Sequence, residues 1–365
     1  MQVALVHDFL IQRGGAENVL KELTRIFPQS PIYTLVHHRG YSREVFGKHV
    51  YASYIQQLPF ADRKYQWYLP LMPSAIEHFN LSSYDIVVSS SSAFANGILT
   101  LPQTLHVCYC HTPTRYLWED THGYLADLRY PRVLKKLLIP LLSFLRVWDY
   151  QAAQRVDAFI ANSKTVQKRI KKYYGRESTV MYPPVDVASF TVAAGPKDYF
   201  LAGGRLVPYK KIDLVIEAFR ALDMPLKIFG TGPDTERLRK RAKDNVEFVG
   251  CVSEREKRKL FANARAFINP QVEDFGITMI EALASGTPVV AYRGGGAEEI
   301  VGDGINGVFF NEQTWEGIVD IVMRTDFSHF DPATVRASAE KFSTERFHRE
   351  MRDFVERAYQ MHPHA

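Results

Sequence analysis

Apolar residues in this chain gather into short runs, separated by longer stretches in which they recur at helical spacing. Residues 1–9 (MQVALVHDF) form one such run, followed by a glycine turn at Gly14-Gly15 and a helical pattern over 16–26. Further runs that read as strands are 86–89 (IVVS), 106–109 (HVCY) and 158–162 (AFIAN). Apolar strands alternating with helices predict a parallel sheet covered on both faces. At 181–186 (MYPPVD) two successive prolines stop both helix and sheet, so a domain boundary is expected there. A second series follows: 199–203 (YFLAG), 226–229 (LKIF), 246–249 (VEFV), 266–269 (AFIN), 289–291 (VVA) and 307–310 (GVFF). The pattern predicts an α/β chain of two Rossmann-like, doubly wound domains, 1–183 and 184–343. Ligands of such sheets bind at the carboxyl ends of the strands, here expected in a cleft between the domains. Residues 344–365 carry a last helical pattern with no strand after it, a helix expected to dock back on a domain, the N-terminal one in this reading.

Composition narrows the class. A length of 365 residues suits two domains, and 46% apolar with 23% charged residues excludes a disordered chain. The net charge of +5 suits phosphates or an anionic membrane surface, and equally an ordinary basic protein. Cys108 and Cys110 would share a strand face roughly 7 Å apart, the outer limit for a disulfide. With Cys251 they form no zinc spacing, so reduced thiols in the cytoplasm are expected. A strand already under way at Val3, cut short by Asp8, does not read as a signal peptide. No uncharged apolar stretch reaches roughly 18 residues, so no membrane span is expected.

Candidate chemistry concentrates in the second series. In 273–281 (EDFGITMIE) a loop follows Asn269-Pro270, and Phe275, Gly276 and Ile277 open a helix. Free N–H groups and the dipole at a helix start favour a phosphate, and Gly276 lets backbone approach it. Taken as helix, the spacing from Glu273 to Glu281 spans roughly 12 Å, enough to reach two ends of one elongated ligand. In isolation, two such acids are equally surface residues. Arg205 and Lys210 follow the first strand of this series. They are fixed cations suited to a phosphate group, with Lys211 as the alternative to Lys210. Gly14 and Gly15 offer another helix start for a phosphate, or simply a tight turn. His111 and Val249 each stand at the carboxyl end of a strand, where a ligand of such a sheet is met. Glu299, beside Glu298, serves either the helix dipole or a ligand. No Asp-x-Asp triplet or His/Cys cluster exists, so neither metal nor cofactor is expected.

These pieces occur in a specific order: Gly14-Gly15-Ala16-Glu17, His111, Asn162-Ser163, Tyr182-Pro183-Pro184-Val185-Asp186, Gly204-Arg205-Leu206 with Lys210, Gly230-Thr231-Gly232-Pro233, Glu273-x7-Glu281, and Gly295-Gly296 with Glu299. Together they resemble glycosyltransferase family 4 over essentially the whole chain. That resemblance implies the GT-B fold and a retaining, metal-independent sugar transfer, by front-face attack with the leaving phosphate as base. It puts Glu281 on the ribose hydroxyls, Glu273 on the transferred sugar and His111 on the donor. Segments 110–115 (CHTPTR) and 163–170 (SKTVQKRI) are similar to bacterial enzymes of O-antigen, capsule and exopolysaccharide assembly, several of them mannosyltransferases. This implies GDP-mannose as donor, with UDP-hexoses as the alternative. An epimerase or phosphorylase does not share the motif order. A NAD oxidoreductase would need a third glycine where Thr235 stands. A non-catalytic sugar binder would not need the full Arg205, Lys210, Glu273 and Glu281 set.

Two stretches mix basic and apolar residues. One is 128–148 (LRYPRVLKKLLIPLLSFLRVW), where Pro140 is expected to kink any helix; the other is 58–73, with Arg63, Lys64 and Trp67. Either can rest on anionic lipid, on the inner face of the cell membrane, with a polyprenyl-linked glycan as acceptor. Either can equally be core or line an acceptor groove. Nothing in the sequence points to nucleic acid.

Overall fold

The computed structural model describes all residues except 13, 48, 49, 122, 124, 126–131, 196, 364 and 365, and the side chains of 132–134 and 137 also lie outside the description. The chain divides into two compact units: Met1–Pro184 with Phe347–Ala365, and Val185–Arg346.

The first unit holds a seven-stranded sheet ordered β3-β2-β1-β4-β5-β6-β7. The strands are β1 (Val3–Leu10), β2 (Ile32–His37), β3 (Val50–Ala52), β4 (Ile86–Ser91), β5 (Leu105–Cys110), β6 (Ala158–Ala161) and β7 (Thr179–Val180). Every pairing is parallel. Successive side chains point to opposite faces, as the pleat requires. Val3 and Leu5 join one buried cluster with Val19, Leu20 and Leu23 of the helix Gly15–Ile26. Ala4 and Val6 join another with Met72, Ile76, Leu142 and Leu145. On β5, Leu105, Val107 and Tyr109 face the first cluster, while Cys108 and Cys110 face a third, with Val166 and Ile170. All three cysteines are free thiols, and Cys251 is exposed. β2, β3 and β7 lay outside the sequence expectation; β3 and β7 are too short to show a period.

The C-terminal helix Thr344–Met361 sets Phe347, Met351 and Val355 into the first cluster. His348 Nε2 meets Glu22 Oε2 at 2.8 Å on the helix Gly15–Ile26.

The second unit holds a six-stranded parallel sheet ordered β10-β9-β8-β11-β12-β13. Its strands are β8 (Tyr199–Gly203), β9 (Leu226–Phe229), β10 (Val246–Gly250), β11 (Ala264–Asn269), β12 (Val289–Tyr292) and β13 (Gly307–Phe310). Phe200, Ala202, Ile228, Ile268 and Val290 pack under Val215, Ile216 and Phe219 of the helix Ile212–Leu222. Ile318 and Val322 of the helix Trp315–Arg324 complete that layer.

Helix Arg132–Gln154 runs through Pro140 without interruption. Leu142 and Leu145 bury its inner face, which offsets the hydrogen bond Pro140 cannot make. Leu128, Arg129, Tyr130 and Pro131 of the same basic–apolar stretch lie outside the described residues. Among those described, no helix is long and apolar enough to cross a membrane.

Candidate active site

At the carboxyl edge of the second sheet, the loop after β8 is clamped from one side by the loop after β9. Leu206 N–H donates to Thr231 O at 3.0 Å, and Asp234 N–H to Leu206 O at 3.2 Å. The approach is so close that a Cβ on Gly230 would lie 1.8 Å from Gly204 O, and one on Gly232 2.1 Å from Leu206 O. The Gly230-Thr231-Gly232 sequence thus fixes the backbone that carries Arg205. Arg205 itself is exposed, its Nη2 3.4 Å from the Tyr209 hydroxyl. Lys210 is half-buried and forms an ion pair with Glu273. Lys211 is exposed, in a left-handed conformation that opens the helix Ile212–Leu222. Of the two lysines, Lys210 is therefore the one joined to the candidate site.

Glu273 stands on the loop after β11, not on the helix. The helix is Ile277–Ala284, with Gly276 as its cap at φ +111°. The expected stretch of continuous helix between the two glutamates is thereby corrected: the loop needs a left-handed turn at Gly276 before any helical hydrogen bond can form. Gln271 Nε2 donates to Glu273 Oε1 at 2.7 Å and to Asn269 Oδ1 at 2.8 Å. Gly296 N–H donates to Glu273 O at 2.8 Å. A Cβ on Gly295 would lie 2.4 Å from Glu273 O, and one on Gly296 2.1 Å from Phe275 O. The Gly295-Gly296 pair therefore acts on the Glu273–Phe275 backbone, ahead of Glu299 in the short helix Ala297–Ile300.

Glu281 is buried on the helix Ile277–Ala284. Lys257 Nζ donates to its Oε1 at 2.8 Å and lies 3.0 Å from Glu254 Oε2. Glu281 Oε2 is buried with no hydrogen-bond partner among the described residues. Burial pushes the Glu281 carboxyl above its usual range, against the pull of Lys257. Burial also works against the Lys257 charge, but Glu281 and Glu254 outweigh it and raise its pKa. An orphaned buried acceptor costs stability unless a ligand donates to it. Lys257, Gln271 and Glu254 were not singled out in the sequence; their contacts are set by tertiary folding, and no spacing signalled them.

Val249 is half-buried at the end of β10. It lines a cavity of about 460 Å³ with Tyr199, Val252, Lys259 and Asn263.

The carboxyl edge of the first sheet is built differently. His111 directly follows β5 and is 8% exposed. Its Nε2 lies 2.8 Å from Ser90 Oγ, and that oxygen lies 3.1 Å from His7 Nδ1. Burial, and then the neighbouring His7, push the His111 pKa down to about 3. Burial also lowers that of His7, against the charge of Asp8. Asp8, which the sequence shows only as a break in an apolar run, accepts from the N–H groups of Ser92, Ala93, Phe94 and Ala95 at 2.6–3.0 Å. It thereby pins the loop after β4. Gly14 caps the helix that begins at Gly15, in an extended conformation. A Cβ there would lie 2.7 Å from Glu17 Oε2. The chain's own carboxylate thus faces this helix start and competes with a phosphate there.

Among the described residues, no group of three or more His, Cys, Asp or Glu is gathered as a metal site.

Two family profiles match. "Glycosyltransferase Family 4" covers residues 13–189, and "Glycosyl transferases group 1" covers 189–325. A GDP-mannose-dependent monoacylated alpha-(1-6)-phosphatidylinositol monomannoside mannosyltransferase of Corynebacterium glutamicum is 32% identical over 179 residues, 40% of this chain and 47% of the relative. An alpha-1,3/1,6-mannosyltransferase of Dictyostelium discoideum is 23% identical over 282 residues, 64% of this chain and 65% of the relative. The chain spans about half the length of the first curated relatives it matches. The crystal structure of HepE of Anabaena in complex with UDP superposes with a TM-score of 0.73 at 16% identity, covering 98% of this chain and 100% of HepE. Two parallel Rossmann-like sheets, the paired loops around Lys210 and Glu273 and two profiles that together run over 13–325 lead to one statement: the chain belongs to the GT-B glycosyltransferases of family 4.

Proposed function

We propose that this protein is a retaining, metal-independent glycosyltransferase that moves a hexose, mannose from GDP-mannose, onto a lipid-linked or polysaccharide acceptor in cell-surface glycan assembly. The observation that carries the reading is the pairing of Lys210 with Glu273 on loops after β8 and β11, beside the start of the helix that holds Glu281. Arg205 and Lys210 supply fixed positive charge for the nucleoside diphosphate as it leaves. Backbone N–H groups at Phe275, Gly276 and Ile277 add to it. Glu273, freed of part of its bond to Lys210 when phosphate arrives, accepts from sugar hydroxyls. The unpartnered Glu281 Oε2 accepts from the ribose. His111 contacts substrate from the first domain. The acceptor hydroxyl attacks on the face the diphosphate leaves, and the leaving phosphate takes its proton. Linkage analysis checks this: the product keeps the anomeric configuration of the donor, and an inverted centre refutes it.

The donor sugar rests on the two mannosyltransferase relatives. A UDP-hexose donor is the second reading, because HepE, a structural neighbour, was crystallised with UDP. A thermal-shift screen of GDP, UDP and ADP with their sugars separates the two. A ligand at a hundred times its Kd stabilises by about 2.7 kcal/mol. GDP-mannose is expected to raise the melting temperature most; a flat response to every nucleotide would remove the proposal.

An anionic membrane surface as partner is supported by exposed apolar side chains next to basic ones. Ile139, Phe144 and Val147 are exposed on the helix Arg132–Gln154, which also carries exposed Lys136. Phe60, Trp67 and Leu71 are exposed near Arg63 and Lys64, with Lys64 Nζ 5.4 Å from the Trp67 ring. Co-sedimentation with anionic vesicles at low salt tests this; no binding would remove it.

A further inference from the structure

His7 has no part in the reaction proposed above, yet it is only 2% exposed. It sits opposite Ser90 in the register of β1 and β4. Ser90 Oγ touches two rings at once, His7 Nδ1 at 3.1 Å and His111 Nε2 at 2.8 Å. A hydroxyl has one hydrogen, so it donates to one ring and accepts from the other. The two arrangements leave His111 in opposite tautomers. In one its hydrogen is on Nδ1, in the other on Nε2.

Two features choose between them. Both rings are held neutral by burial, so each carries a single N–H. The contact lengths give the direction, because a hydroxyl donor sits closer to its acceptor, at about 2.7–2.8 Å, than an N–H donor does, at about 2.9–3.0 Å. The 3.1 Å contact fits His7 Nδ1–H donating to Ser90 Oγ, and the 2.8 Å contact fits the Ser90 hydroxyl donating to His111 Nε2. His111 Nδ1 has no hydrogen-bond partner among the described residues. It is therefore the ring atom left to meet a ligand.

We infer that His7 is a positioning residue: acting through Ser90, it fixes the His111 ring with its hydrogen on Nδ1, so that this sheet edge presents a neutral N–H donor to a substrate hydroxyl oxygen. The inference rests on the reading that His111 contacts substrate. A donor of fixed direction and no charge orients a sugar without drawing anions to that edge. Asp8 serves the same end from the other side, by anchoring the loop after β4 that follows Ser90.

The test is nitrogen-15 NMR of the full chain labelled at histidine, with the His111 signals assigned by a His111→Gln variant. The expected spectrum shows Nδ1 protonated and Nε2 as the acceptor. Ser90→Ala and His7→Leu are expected to lose that preference, and His7→Asn, which keeps an amide donor near the Nδ1 position, to retain it. A wild-type ring protonated on Nε2, or an unchanged tautomer in Ser90→Ala, overturns the relay. In the transfer assay, His7→Leu is expected to lower kcat about tenfold at nearly constant KM, with most of the loss restored in His7→Asn. Equal loss in both variants, or loss that only tracks the folded fraction, contradicts it. If the tautomer is as stated but His111→Ala transfers sugar at the full rate, the substrate contact itself fails and His7 loses its role, while the hydrogen-bond relay stands.

Discussion

Polar groups at the carboxyl edge of the first sheet centre on a buried, neutral histidine pair: His7, Ser90 and His111 share hydrogen bonds, burial keeps the rings uncharged, and the carboxylate beside them, Asp8, is taken up by backbone N–H groups. At the corresponding edge of the second sheet they are charged: Lys210 on Glu273, Lys257 between Glu254 and Glu281, and Arg205 exposed. The topologies are alike; the electrostatics are not. Full burial suits imidazole, because a neutral ring satisfied by hydrogen bonds costs little to desolvate. Ions need a partner or water, so the second edge keeps its charges paired or half-exposed. Under the proposed function the two edges take different tasks: orienting hydroxyls at the first, holding phosphate at the second.

The largest expected effect strikes the charged edge. Lys210→Ala is expected to slow sugar transfer by roughly 10²–10³, the cost of removing one donor to developing negative charge. Arg205→Ala is expected to do nearly as much without changing the melting temperature, because its side chain is exposed. Initial rates with saturating sugar nucleotide measure both. Loss of less than threefold in either would break the division of tasks.

Acid should act next on the buried histidines of the first sheet, His7 and His111 at its carboxyl edge and His106 near the amino end of β5. His106 and His111 are pushed from 6.5 to about 3 by burial, and His7 is also lowered. Their folded pKa values lie below the unfolded ones, so their contribution to stability is complete above about pH 6.5 and is lost as pH falls toward 3. The loss is on the order of a few kcal/mol. Asp149 works the other way: burial raises it from 3.8 to about 6, so its contribution is complete below the unfolded value and fades as pH rises through 6. Calorimetry against pH should show the acid limb flatten in His106→Asn and the fall between 4 and 6 lessen in Asp149→Asn. A smaller change is expected from Glu281→Ala, which strips a partner from half-buried Lys257 and should cost about 1–3 kcal/mol. Glu281→Gln should cost less while still shrinking the donor-induced rise in melting temperature. Smallest is Trp67→Ala, expected to weaken vesicle binding a few-fold and leave transfer to a water-soluble acceptor unchanged.

Most of the strands were legible in the alternation of apolar runs and helices, because a parallel strand buried on both faces is a run. β3 and β7, three and two residues long, carry no period to read. β2 (Ile32–His37) carries a short apolar run between Pro31 and His38. Charged site residues were legible because motif spacing is local: Arg205 and Lys210 lie on one loop, and Gly276 marks one turn. What spacing does not encode is register. Ser90 meets His7 across 83 positions, and Lys257 meets Glu281 across 24, only because strands and helices pack as they do. Local spacing also misread the two glutamates, since the left-handed turn at Gly276 separates Glu273 from the helix.

The most direct test is calorimetric titration of GDP, UDP and ADP into the intact chain and into Arg205→Ala. A nucleoside diphosphate is expected to bind without added metal, and the variant to bind it roughly ten- to a hundredfold more weakly, the worth of a charge-assisted hydrogen bond. Binding of no diphosphate, or equal affinity in both proteins, would contradict the account.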